Sequence, residues 1–106
     1  MRTMKTRLVD YLTTYMDELL EKMRADIGMP LFNPDSRTEC VDVLYSQLHL
    51  PIVREIHGTG KPSIACPALL ELQELWPCDF VRYLLQYRRY DLLRSMARNI
   101  KEKEDE

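Results

Sequence analysis

The chain has 106 residues and carries 15 Lys and Arg against 17 Asp and Glu, for a formal net charge of −2. That length holds one domain with a modest core. With 45% hydrophobic residues, 30% charged residues and three glycines, the composition is that of a helical globular domain rather than a disordered chain.

From Thr3 to about Ile27, apolar residues recur at Met4, Leu8, Leu12, Tyr15, Leu19 and Met23, with Tyr11, Met16 and Leu20 widening the stripe. This spacing predicts a long helix of about 35 Å, stopped by Gly28 and Pro30. The next segment, 31 to 78, contains Ser36-Arg37-Thr38-Glu39, the pattern of a capping box that opens a short helix over about 37 to 48. Pro51 ends it. Residues 52 to 62, with Gly58, Gly60 and Pro62, read as an exposed and partly extended loop.

Pro67 suits a first helical turn, and ALLELQEL after it predicts a second short helix ending before Trp76-Pro77. Trp76 reads as a packing anchor at that junction. Asp79 is the expected N-cap of a final long helix over 79 to 103, followed by an acidic tail, 104 to 106. The outline is all-α: two long antiparallel helices, with two short helices and a loop at the tip, forming one domain over 1 to 106.

Charge is unevenly placed along this outline. Residues 80 to 101 hold Arg82, Arg88, Arg89, Arg94, Arg98 and Lys101 against one acid, Asp91. At helical spacing Arg88, Asp91, Arg94, Ser95, Arg98 and Lys101 share one arc of the last helix, while Val81, Leu85, Leu92, Leu93, Met96 and Ile100 share the complementary, apolar arc. Arg82 and Arg89 fall toward the apolar side and are expected to snorkel or to find an acidic partner.

The passage FNPDSRTECVDVLYSQLHLP resembles the FNxxSxxQLxxxLFxxLGLP passage of family A DNA polymerases, the bacterial DNA polymerase I class and its phage relatives. GTGKPSIACPALLEL resembles their KTGxxSTxxxVLxxL loop and helix, and YRRYDLLRSM resembles their YRxLxKLKST. The three stand in the family's order and spacing over about residues 31 to 98, and the long helix before them sits where that family has one.

The resemblance is to the thumb subdomain, a helical hairpin that grips duplex or primer-template DNA through its backbone. It implies nucleic-acid contacts at Ser36, Arg37, Lys61, Ser63, Arg88, Arg94, Ser95 and Arg98, where guanidinium groups and hydroxyls can meet phosphates without reading sequence. A phosphate would also be favoured at the helix N-terminus near Ser36 and Arg37. Four departures from the pattern bear on this reading. Leu92 and Met96 replace a lysine and a threonine, Ala65 replaces a frequent serine, and His49 replaces a frequent glycine.

Family A polymerases use two metal ions held by palm carboxylates, and neither palm nor fingers is encoded in this sequence. The expectation is a non-catalytic chain with no cofactor. Hydrolase, phosphate-loop and metalloprotease motifs are missing. Cys40, Cys66, Cys78, His49 and His57 have spacings that match no common metal site, which argues for core or near-core thiols in a reducing compartment and for an exposed His57. The N-terminus, Met1 with Arg2, Lys5 and Arg7, leads into an amphipathic pattern rather than a signal or membrane segment. A cytoplasmic protein is expected, nucleoid-associated or in a phage-infected cell.

The leading function is therefore a thumb-like module binding duplex or primer-template DNA, as a polymerase fragment or a separate subunit working with palm and fingers or another replication protein. The polar ending KEKEDE favours a separate product. The alternative is a helical interaction or oligomerisation module acting on a replication protein. In either case an isolated hairpin would leave apolar surface at its base, so a homo-oligomer is expected.

Overall fold

The computed structural model describes residues 4–56, 58 and 60–99. In chain order it comprises α1 (Met4–Ile27), α2 (Arg37–Val41) running into a π-helical segment (Asp42–Gln47), α3 (Cys66–Leu75) and α4 (Asp79–Arg98). The described residues are all-α, as the periodicity predicts, with one isolated antiparallel bridge between Glu55 and Pro62. Contacts at Thr13–Arg94, Tyr15–Tyr90 and Lys22–Tyr83 run in opposite directions along the two long helices, so α1 and α4 are antiparallel. Ile100, Lys101, the expected continuation of α4 to 103, the acidic tail and His57 lie outside the described residues.

Helix α1 forms because Leu12, Met16, Leu19, Met23 and Ile27 stack on one buried face, each worth about 1.5–3 kcal/mol when fully buried. It ends at Gly28, whose φ of 68° is the left-handed position that lets Met29 N–H close onto Arg24 O at 3.0 Å, a Schellman closure. Gln47 Nε2 then donates to Ile27 O at 2.7 Å and Arg24 Nε to Phe32 O at 3.1 Å. These bonds fold the tip back onto the end of α1.

The expected helix over 37 to 48 is only partly regular. After α2 the chain widens, with Leu48 N–H bonded to Val43 O at 2.9 Å, one residue wider than an α-type closure, and Leu50 N–H to Leu44 O at 3.0 Å, wider by two. His49 is the residue that reverses the chain, at φ 55°. Residues 54 to 63 pair across a glycine turn, with Ile56 N–H on Lys61 O at 2.7 Å and Ser63 N–H on Arg54 O at 2.8 Å.

The main core lies at the tip end, where Met23, Ile27, Phe32, Cys40, Val43, Leu44, Leu69, Leu72, Phe80, Val81 and Leu84 form one buried cluster. Phe32 meets Phe80 edge-on, with ring centroids 5.4 Å apart, worth about 0.5–1.5 kcal/mol beyond the area buried. Toward the opposite end the hairpin is two helices thick, and burial there falls to Leu12, Met16 and Ala97.

Several sequence expectations are corrected by this packing. The N-cap of α4 is Cys78, with Asp79 already inside the helix and paired with Arg82 at 3.2 Å. Trp76 is 50% exposed, because α3 buries Ala68, Leu69 and Leu72 and leaves the junction residue outside. Cys66 is exposed at the start of α3, whereas Cys40 is buried. On α4 the buried set is Phe80, Val81, Leu84 and Ala97, while Leu92 and Met96 of the expected inner arc are 62% and 58% exposed. The tip covers only the first half of α4, and α1 packs against the face carrying Tyr90 and Arg94 instead.

Candidate nucleic-acid interface

The sequence-predicted contact residues fall into two groups. Ser36, Arg37, Lys61 and Ser63 gather at the tip, with Arg88 reaching them from α4; Arg94, Ser95 and Arg98 lie further along that helix. Arg98 is ten positions from Arg88, about 15 Å at helical rise.

At the tip, Arg37 donates to Pro62 O and Arg88 to Ile64 O. These bonds hold the loop carrying Lys61 and Ser63 against α2 on one side and α4 on the other. Beneath it, Tyr45 Oη donates to Ser63 O at 3.2 Å. Burial raises the Tyr45 phenol's pKa, and the Arg37 charge partly opposes that rise. The Arg88 guanidinium also stands beside the Cys40 thiol, which burial pushes up to about 11 against the pull of that cation. Cys40 Sγ donates to Pro34 O at 3.3 Å. A thiol so placed is inert packing rather than a nucleophile.

The predicted capping box forms in part. Ser36 Oγ accepts from Glu39 N–H at 3.3 Å, but the Glu39 carboxylate accepts from Asn33 N–H at 3.0 Å, while Ser36 N–H bonds to Asn33 O at 3.1 Å. An anion approaching this helix start would meet the Glu39 carboxylate in the first turn, so local charge opposes a phosphate there.

Along α4, Arg94 turns toward α1. Its side chain is 20% exposed and pairs with Asp91 at 3.1 Å, a second bond reaches Thr13 Oγ1 at 3.3 Å, and its Nε is buried without a hydrogen-bond partner. Ser95 and Arg98 are exposed. Of the two arginines outside the arc, Arg82 has its acidic partner in Asp79 and lies 5.2 Å from the Tyr83 ring centroid, while Arg89 is exposed.

One cation at the tip was not legible in the sequence. Arg54 pairs with Glu71 at 2.9 Å, and its carbonyl accepts from Ser63. Only the pairing of residues 54 to 63 brings it beside the candidate residues, and no local motif signals that pairing. Among the described residues, no three metal-binding side chains come together, and no helix is long and apolar enough to cross a membrane.

No family model matches the chain. It is 34% identical over 82 residues to the thermostable DNA polymerase I of Thermus aquaticus, a match covering 74% of this chain and 10% of that protein. Most of the chain is thus similar to one stretch of a family A DNA polymerase.

Proposed function

We propose that the chain is a non-catalytic, thumb-like module that holds duplex or primer-template DNA by its backbone, with any polymerase chemistry supplied by other protein. The observation that carries this reading is the similarity over 82 residues to a DNA polymerase I, in a chain whose long helices form an antiparallel hairpin. On this reading the exposed residues Lys61, Ser95 and Arg98 meet phosphates. Arg88 and Arg94, spent on Ile64 and on Thr13 and Asp91, keep the surface in shape.

Few phosphate contacts on a chain of net charge −2 give weak, sequence-tolerant binding in the range of about 10⁻⁴–10⁻⁶ M, falling steeply with salt as counterions are released. The test is a titration of labelled duplex at two salt concentrations with the parent and with a Lys61→Ala, Arg98→Ala double variant. Loss of affinity on all sequences alike, with a shallower salt slope, supports the reading. A parent that does not bind at low salt, or a variant that binds equally well, removes it.

A further inference from the structure

Three consecutive carbonyls of the tip loop are held by side chains from three different elements. Arg37 at the start of α2 donates to Pro62 O, Tyr45 in the π-helical segment to Ser63 O at 3.2 Å, and Arg88 of α4 to Ile64 O. The arm so held is the one that carries Lys61. It pairs with residues 54 to 56 through Ile56 N–H on Lys61 O at 2.7 Å and Ser63 N–H on Arg54 O at 2.8 Å, and Arg54 is tied in turn to Glu71 of α3. Beneath, half-buried Val53 and Ile64 pack against the tip core.

Among these anchors Tyr45 stands apart. It occupies the position where the pattern FNxxSxxQLxxxLFxxLGLP has phenylalanine, so its hydroxyl is a group that the pattern does not supply. The ring is half-buried against the same core, which fixes where the hydroxyl points, and the carbonyl it holds is the middle one of the three. Its bond is also neutral. A phosphate arriving at Lys61 draws guanidinium groups toward itself, because charge-assisted bonds are the stronger ones, and it has no such pull on a phenol.

We infer that Tyr45 is a positioning residue: by holding the Ser63 carbonyl it fixes the arm that presents Lys61 and so aims that ammonium at a phosphate. The inference rests on the DNA-holding reading above and adds to it a residue that itself touches no nucleic acid. A lysine on a loose loop has to be ordered at the moment of binding, which lowers affinity. On a fixed arm the backbone part of that ordering is already done in the folded chain.

The test is Tyr45→Phe, which keeps the ring and removes only the hydroxyl, with circular dichroism to check folding. Amide hydrogen exchange reads the arm without DNA: the N–H groups of Ser63 and Ile56 should exchange about three- to tenfold faster than in the parent. Titration of labelled duplex at low salt reads what the arm does. Tyr45→Phe should weaken binding about threefold and should add little to Lys61→Ala, because without Lys61 there is no ammonium left to aim. A hydroxyl that merely stabilises the fold gives losses that multiply instead. Parental exchange at Ser63 and Ile56, parental affinity, or losses that multiply in the double variant each overturns the inference. A parent that itself fails to bind overturns the DNA reading and this role with it, an outcome told apart from the others because it appears without any variant.

Discussion

Replacing Arg94 by methionine separates a structural role from a nucleic-acid contact. The side chain is 20% exposed, bonded to Thr13 and to an Asp91 that is 46% exposed. Loss of the ion pair is worth about 0.2–1 kcal/mol at such exposure, and loss of the long bond to Thr13 about 0.5–1.5 kcal/mol. Methionine keeps the buried aliphatic stem and removes an Nε that has no partner, which offsets part of this.

The net cost of Arg94→Met is therefore about 1 kcal/mol, or about 4–8 °C in melting temperature for a domain of this size. Arg94→Ala also empties the stem's space and costs roughly 1–2 kcal/mol more. Thermal melts followed by circular dichroism read the stability, and duplex titration reads the affinity. Arg94→Met should lower the melting temperature and leave affinity near the parent's below the melt, with Arg98→Ala doing the reverse. An Arg94→Met variant as stable as the parent that binds duplex as poorly as Arg98→Ala would show that Arg94 leaves Thr13 to meet the phosphate backbone.

His49 sits at φ 55°, a conformation that costs an L-residue about 1–2 kcal/mol; after the entropy that glycine adds to the unfolded chain, His49→Gly should stabilise by about 0.5–1 kcal/mol in a denaturant titration. Phe32→Ala removes a fully buried ring stacked edge-on against Phe80 and should cost about 3–5 kcal/mol, measurable in the same titration. The Cys40 thiol, raised from 9.0 to about 11, ionises more readily unfolded than folded, so its contribution is complete below pH 9.0 and is lost as pH rises toward 11. Alkaline unfolding over that window should flatten in Cys40→Ala, and in the native chain a thiol reagent should label exposed Cys66 well before buried Cys40.

The helices were legible because their punctuation is local: Gly28 and Pro30 close α1, Pro67 opens α3, and the stripe ending at Ile27 has one period throughout. The π-helical widening was not, since Cys40, Val43 and Leu44 fit either an α or a π turn and the difference lies in backbone bonds that leave no side-chain mark. Periodicity found the two arcs of α4 but not their partners. It assigned Leu92 and Met96 to the inner side because they are apolar, whereas the inner side is decided by where α1 and the tip happen to reach. The same periodicity places Arg88 and Arg94 on the outward arc, whereas their bonds to Ile64 and Thr13 span 24 and 81 residues of chain, beyond any local pattern.

The proposed DNA-gripping role is tested most directly by following the amide resonances of the labelled chain while a short duplex is added at low salt. The account predicts shifts concentrated at Lys61, Ser63, Ser95 and Arg98 that vanish as salt is raised, with Tyr11 and Leu93 unmoved. Shifts confined to the base of the hairpin, or none at any duplex concentration, would contradict it.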